Sequence, residues 1–366
     1  MEYTTIGKSC SLVSGGTPSR SKDEYWRNGT IPWIKIGNIK SKYVNGYDEL
    51  ITEQGLNNSS AKLLKKGTIL YTIFATLGEV GILDIEACTN QAIVGISIND
   101  SRITTDYLYY YLKSKKEYVN SIGRGVAQNN INLTTLKEFE IPLIDVDKQL
   151  NIVKSLEKTE KIIDLKKNEI DDLDLLIKAR FVEMFGDPLD GTAKYPIHQV
   201  GEVANSVDPQ PSHRTPPVEE GGIPYVSIKD CDYKTGKIDF EGARKVSPKV
   251  LEEHMNRYTL HDGDFVVGKI GTIGNPVFVP ARNDYTLSAN VVLVQPNSEL
   301  VSPYFLKYSF ESDFVERQFA EAKNSTSQAA FGIQKVRTVE VMNPDLDVQR
   351  EFEIFVKQVD KSKFGH

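Results

Sequence analysis

The strongest constraint on this 366-residue chain is that it aligns with itself. Ile31-Pro32-Trp33-Ile34 returns as Ile223-Pro224-Tyr225-Val226, and each stretch follows a Gly and a Thr-Pro pair, Thr17-Pro18 in the first case and Thr215-Pro216 in the second. Gly67-Thr68-Ile69-Leu70 with Ala75-Thr76-Leu77-Gly78 returns as Gly263-Asp264-Phe265-Val266 with Gly271-Thr272-Ile273-Gly274, both at an offset of 196. Tyr107 to Leu112 matches Tyr304 to Tyr308 near an offset of 197, and Gln128, Leu133, Leu136 and Gln149 match Gln328, Ile333, Val336 and Gln349 at 200. An offset drifting from 192 to 200 marks a duplicated domain with small loop insertions. Units of this size are whole domains, so the chain is a tandem pair and not a solenoid.

Each copy has the same order of elements. Short runs rich in Val, Ile, Tyr and Thr read as strands bounded by Gly, Asn and Asp turns: Thr68–Phe74 and Ile93–Ile98, then Phe265–Ile270 and Asn290–Val294. A helix is predicted over Thr105–Val119 and again over Ser302–Phe319, followed in both copies by a polar loop and a short apolar segment that leads into a charged helix. The fold class is α+β, with two homologous α+β domains in tandem, separated by long coiled-coil-forming helices in a pseudo-two-fold arrangement. The expected boundaries are 1–146 for the first domain, 147–186 for a central spacer helix, 187–346 for the second domain and 347–366 for a short C-terminal helix.

The central helix, predicted over Asp147–Phe185, carries Leu156, Ile163, Ile170, Ile177 and Met184 at a seven-residue spacing, a coiled-coil seam interrupted by Thr159 and Lys166. Gly186 and Pro188 stop it. It is longer than a domain core needs, and its expected partner is the helix beginning near Asp347 with Phe352, Phe355 and Val359. By the offset of 200 that second helix would run to about residue 386, past His366.

Net charge is −6, which argues against a uniformly basic nucleic-acid binder. The imbalance is local. Residues 1–146 carry 16 basic and 15 acidic side chains, whereas 187–346 carry 16 and 22. If the chain binds DNA, a partner must supply much of the phosphate neutralisation. No apolar run approaches the roughly 18 residues of a membrane span and the first residues do not resemble a signal peptide, so the expected location is the cytoplasm. Cys10, Cys88 and Cys231 are odd in number and form no C-x-x-C pair, so they are expected to be plain thiols.

Catalytic motifs are missing. The five histidines form no metal-ligand spacing, and there is no Walker loop, G-x-G-x-x-G, G-x-S-x-G or Asn-Pro-Pro-aromatic methyltransferase motif. Gly268, Gly271 and Gly274 read as a tight turn, and Asp187, Asp190 and Lys194 have the wrong spacing for a nuclease site. No catalytic residue and no metal ligand is expected in this chain.

Ser14-Gly15-Gly16-Thr17-Pro18-Ser19-Arg20 running to Tyr25-Trp26, Gly29-x-Ile31-Pro32-Trp33-Ile34-Lys35, the Gly271-Thr272-Ile273-Gly274 turn and Ala179 to Asp187 together resemble the specificity subunit of Type I restriction-modification systems, over essentially the whole chain. The resemblance implies two target recognition domains held apart by an antiparallel pair of helices, each domain reading one half of a split double-stranded DNA target. It implies that the helices bind two methyltransferase subunits and that restriction subunits add the motor and nuclease. S-adenosylmethionine, ATP and Mg are then expected on the partners, with no cofactor in this chain and no contact with a membrane.

Sequence readout needs polar and basic side chains projected from loops into a groove, while phosphate contacts fix register. Both copies offer such loops. The DNA-binding candidates are Arg20, Lys22, Tyr25, Lys35, Asn38, Lys40, Thr76, Arg124, Gln128, Asn129 and Asn130 in the first domain. In the second they are His213, Arg214, Tyr225, Lys229, Lys269, Thr272, Lys323, Asn324, Thr326 and Gln328. Two rival readings are a tandem protein-interaction scaffold and a restriction-modification protein with its own catalytic activity.

Overall fold

The apolar strand runs assemble twice into three sheets, which match among the described residues except for one more edge strand, Tyr43–Val44, in unit 1. The computed structural model describes residues 2–123, 130–212, 214–269, 274–324 and 332–364, and divides into two units, Met1–Asp164 and Leu165–His366. In unit 1 a five-stranded sheet has the order Cys10–Ser14, Ile93–Ile98, Ile69–Thr72, Val80–Leu83 and Tyr43–Val44. Its central Ile96 faces Leu12 on one neighbour and Ile69 on the other. In unit 2 a four-stranded sheet runs Ala204–Val207, Val291–Pro296, Phe265–Gly268 and Val277–Phe278, with Val294 between Ser206 and Phe265. These central strands are buried on both faces, which is why they read as near-continuous Val and Ile runs instead of alternating ones.

A second, three-stranded sheet is also duplicated. Ile31–Ile34 pairs antiparallel with Glu49–Ile51 and parallel with Cys88–Thr89, so Trp33 lies between Glu49 and Cys88. Ile223–Val226 pairs in the same way with Arg244–Val246 and Thr286–Leu287, placing Tyr225 between Arg244 and Thr286. A two-stranded ribbon closes each unit, Glu2–Thr5 with Glu140–Leu143 and Ile197–Gln199 with Glu340–Met342. Cys10 and Cys88 are free and buried, and burial pushes both thiols up to about 11.

The helix expected over Thr105–Val119 is two helices, α1 (Thr105–Ser114) and a second over Lys116–Gly123. Its break lets Val119 swing over the turn that ends at Gly78. That glycine has φ +78°, and a Cβ there would meet the Val119 side chain at 2.9 Å. Thr104 caps α1. The long helix α2 spans Val146–Phe185 and passes through the division between the units. At 1.5 Å per residue its 40 residues extend about 60 Å. Its first part belongs to unit 1, where Val153 joins the core, Tyr110 Oη donates to Glu160 at 2.6 Å, and Lys42 bridges Asp106 and Glu157.

Unit 2 repeats the pattern. Helix α3 (Pro248–Met255) follows the Arg244–Val246 strand, and α4 (Pro303–Phe310), capped by Ser302, is followed by a separate helix over Asp313–Asn324. Here Phe319 covers Gly274, which has φ +96°. The last helix, α5, spans Leu346–Phe364. Gln149 and Gln349, paired by the repeat, do one job in both units. Gln149 Oε1 accepts from the Thr104 amide at 3.0 Å and its Nε2 donates to the carbonyls of Arg102 and Ile144. Gln349 Oε1 accepts from the Ser302 amide at 2.7 Å and its Nε2 donates to the Pro344 carbonyl. A fully buried amide thus ties the first turn of the charged helix to the start of α1 or α4.

The seam of α2 differs from a regular heptad. Ile177 is buried and Met184 packs against the unit 2 core, but Ile170 is only half-buried, and Leu156 and Ile163 are 38% and 47% exposed. The buried stripe on the later part is Leu173, Ile177, Phe181 and Phe185, which meets Phe352, Val356 and Val359 of α5. A strict seven-residue repeat drifts about 20° per heptad around a straight α-helix. The face α2 buries therefore follows what each unit offers, not the heptad. On α5 Val356 is in the core and Phe355 lies at its margin.

Candidate nucleic-acid interface

In unit 1 the loop after Ser14 is held by tryptophans. Trp33 Nε1 donates to the Gly16 carbonyl at 2.9 Å, and Trp26 Nε1 donates to the Ser19 carbonyl at 3.1 Å. The Arg20 guanidinium lies 3.7 Å from the centroid of Trp26 and pairs with Glu49. Lys35 reaches the same carboxylate at 2.7 Å, and hydrogen bonds from Arg20 and Lys35 hold the Glu49 carboxyl below the usual range. Asn38 Oδ1 accepts from the Lys35 amide and its Nδ2 donates to Asp48, which fixes the turn on which Lys40 stands exposed. Arg20, Lys35, Asn38 and Lys40 are thereby gathered at one end of the three-stranded sheet. Lys22 is exposed, with its ammonium on the Tyr25 hydroxyl at 2.9 Å. Thr76 is exposed on the turn beyond the Ile69–Thr72 strand, beside Ala75 at φ +63°. Asn130 is half-buried and bridges Phe74 through the backbone.

In unit 2 the same frame carries different chemistry. Where Trp33 faces Glu49, Tyr225 faces Arg244, whose guanidinium donates to the Pro216 carbonyl at 2.8 Å. Lys229 stands exposed beside Asp230, which accepts from the Ser227 amide as Asn38 does from Lys35. Arg214 is exposed on the loop after Val207.

Three candidates are not surface groups. Tyr25 is buried; Tyr225 is 3% exposed and its hydroxyl accepts from the Ala289 amide; Lys269 is 4% exposed and pairs with Asp208 at 2.8 Å. Their side chains hold loops and cannot enter a groove. Arg124, Gln128, Asn129, His213, Thr272, Thr326 and Gln328 lie outside the described residues, and Lys323 and Asn324 are described only as the end of a helix. Sequence reasoning passed over Glu49, Asp208, Gln210 and His254, which order these loops. Acidic or neutral residues give no nucleic-acid signal, although the repeat does align Glu49 with the Arg244–Lys245 pair.

Among the described residues no group of three or more His, Cys, Asp or Glu is placed to hold a metal ion, and no helix is long and apolar enough to cross a membrane. The surface is one of short polar loops on rigid sheet ends, suited to recognition.

Known proteins share this pattern. The Type I restriction enzyme MjaIX specificity subunit of Methanocaldococcus jannaschii is 33% identical over 181 residues, 48% of this chain and 41% of that protein. The EcoR124I/EcoR124II specificity subunit of Escherichia coli is 27% identical over 43% of this chain and 40% of its own length. The match thus spans about two fifths of these two relatives. The MjaVIII specificity subunit of M. jannaschii aligns over 98% of this chain and 86% of its own length at 21% identity. In structure, the chain resembles the S subunit of a Type I restriction-modification system from M. genitalium, with a TM-score of 0.52 at 15% identity, covering 99% of this chain and 90% of that one. A chain from a study of complex assembly and conformational transition of the type I R-M system gives 0.55 at 16%, with the same coverage. These likenesses establish the fold. The family described as Type I restriction modification DNA specificity domain matches twice, over residues 1–175 and 194–364, and the chain belongs to that family, as a tandem pair of its domains.

Proposed function

We propose that this chain is the DNA-reading subunit of a Type I restriction-modification complex, in which each unit reads one half of a split double-stranded target. The observation that carries this is one frame with two surfaces: the same sheet position holds Glu49 in one unit and Arg244 in the other. Duplicated scaffolds with diverged loops are what two different half-sites require.

In this reading the chain carries no chemistry and no cofactor of its own. α2 and α5 act as spacer and as docking surface for two methyltransferase subunits, which bring S-adenosylmethionine and modify adenine. Restriction subunits add ATP- and Mg-dependent motor and nuclease activity. The exposed Leu156 and Ile163 on α2 fit a docking role, and the acidic second half of the chain fits a reader whose partners supply positive charge. The test is to co-express the chain with the methyltransferase encoded beside it and to map modified adenines in host DNA. A split motif with a fixed spacer is expected; unmodified DNA, or modification with no motif, would overturn the reading.

A further inference from the structure

A polar network in unit 2 lies behind a loop, not on it. His254, on α3, is 3% exposed. Gln210 Nε2 donates to Ser212 Oγ at 2.9 Å and to the Arg214 carbonyl at 3.2 Å, so its Oε1 is what faces His254 Nε2, and the ring nitrogen must donate. Nδ1 is then the acceptor for the Thr286 hydroxyl at 2.6 Å. With its proton committed, Thr286 Oγ1 accepts from Tyr258 Oη at 2.9 Å, and Tyr258 Oη accepts from the Leu287 amide. Every group has one role, and the chain runs without a break from the three-stranded sheet to the loop. The root of the loop is pinned separately, where Asp208 Oδ1 accepts from the Gln210 amide and pairs with Lys269.

The fold does not need this network. Unit 1 builds the same sheet with Cys88 at the place of Thr286 and Trp33 at that of Tyr225, and holds the corresponding loop with Trp26, Trp33 and Arg20. What the network fixes is the placing of Gln210, and through it of Ser212 and the exposed Arg214. Buried polar networks with every group satisfied select one conformation among close alternatives.

We propose that His254 is a positioning residue for specificity, holding Gln210, and through it Ser212 and Arg214, in the single geometry in which this side of unit 2 reads its half of the target. This rests on the DNA-reading function above. Two variants cut the network at different ends: His254→Phe in the core, and Gln210→Ala on the half-buried loop side, outside the apolar core. His254→Gln keeps a donor toward Gln210. The full chain is co-expressed with its methyltransferase subunits and adenine methylation is mapped. In both cutting variants one half of the split motif, the same half in each, should lose about tenfold in base discrimination at one or more positions, while the other half stays as in wild type. His254→Gln should recover most of that loss. A motif unchanged in Gln210→Ala, or both halves degraded together in that variant, would overturn the proposal while the DNA-reading function stands. Absence of any motif with the wild-type chain would overturn that function, and this inference with it.

Discussion

Phe352 and Ile152 occupy the same place in the repeat, two hundred residues apart, and the structure gives them opposite surroundings. Phe352 is 0% exposed, with ring centroids of Phe181, Phe185 and Tyr308 at 5.4, 5.5 and 5.7 Å. Ile152, on the first part of α2, is 43% exposed. Truncating a buried Phe to Ala costs about 3–5 kcal/mol, and three edge-on aromatic neighbours place Phe352→Ala near the top of that range. For a unit of this size each kcal/mol moves the melting temperature by about 2–4 °C, so a fall of roughly 10–15 °C is expected in the transition that carries unit 2. Ile152→Ala removes side-chain atoms from a site already in water and should cost less than about 1 kcal/mol. Calorimetry of the isolated 366-residue chain reads both. Equal shifts, or a Phe352→Ala shift worth under about 1 kcal/mol, would refute the assignment of Phe352 to a packed core and of Ile152 to an uncovered face.

Other perturbations test separate parts of the fold. Gln349→Ala and Gln149→Ala should each destabilise their own unit by about 2–4 kcal/mol in urea titrations, because buried backbone groups at the start of α4 or α1 lose their partners. Gly274→Ala combines an unfavourable φ with a Cβ 2.5 Å from Phe319, so a loss of about 2–4 kcal/mol is expected, against about 1 for Gly221→Ala, where φ is +72° but the space is open. Burial pushes the His254 imidazole below its ordinary value, so the unfolded chain takes up a proton first as pH falls. Its contribution is intact above pH about 6.5 and is lost below it, by at most about 1.4 kcal/mol per pH unit, and His254→Gln should flatten that slope in acid denaturation. The isolated chain should bind DNA weakly and with little preference, and its methyltransferase partner should restore tight, specific binding in gel-shift titrations; nanomolar specific binding by the chain alone would count against the charge argument.

The repeat carried most of what the sequence could tell. Matching residues landed on matching strands because register in a buried sheet is set by the apolar pattern, and that pattern survives duplication. The helix break at Lys115 was not legible, since nothing local forbids a continuous helix there, whereas that at Glu311 had one local signal, Ser312, whose Oγ accepts from the Val315 amide; the second helix of each pair covers a glycine, Gly78 or Gly274. The heptad in α2 overstated regularity, because Leu156 and Ile163 share a spacing with Ile177 but not its neighbours. Among the interface candidates, residue type could not separate the exposed Arg20, Lys40, Lys229 and Arg214 from Tyr25, whose ring is buried, or from Tyr225 and Lys269, whose polar ends look inward. A lysine reads as a surface cation until Asp208 is found beside it.

The pair of Glu49 and Arg244 shows how one fold can carry opposite charges at the same sheet position. Both residues sit beside the central aromatic of the three-stranded sheet, on an edge strand that pairs with the central strand in the same register in both units. Glu49 draws Arg20 and Lys35 inward and so limits how much of their charge is free for a phosphate or a base; Arg244 instead spends its donors on the Pro216 carbonyl and leaves the loop beyond it to be fixed by other groups. The side chain at this one position thus has different partners in the two units while the strand pairing around it is the same. Packing is conserved in the sheets and difference confined to the loops at their ends, the division of labour that the proposed reading of two half-sites by one chain requires.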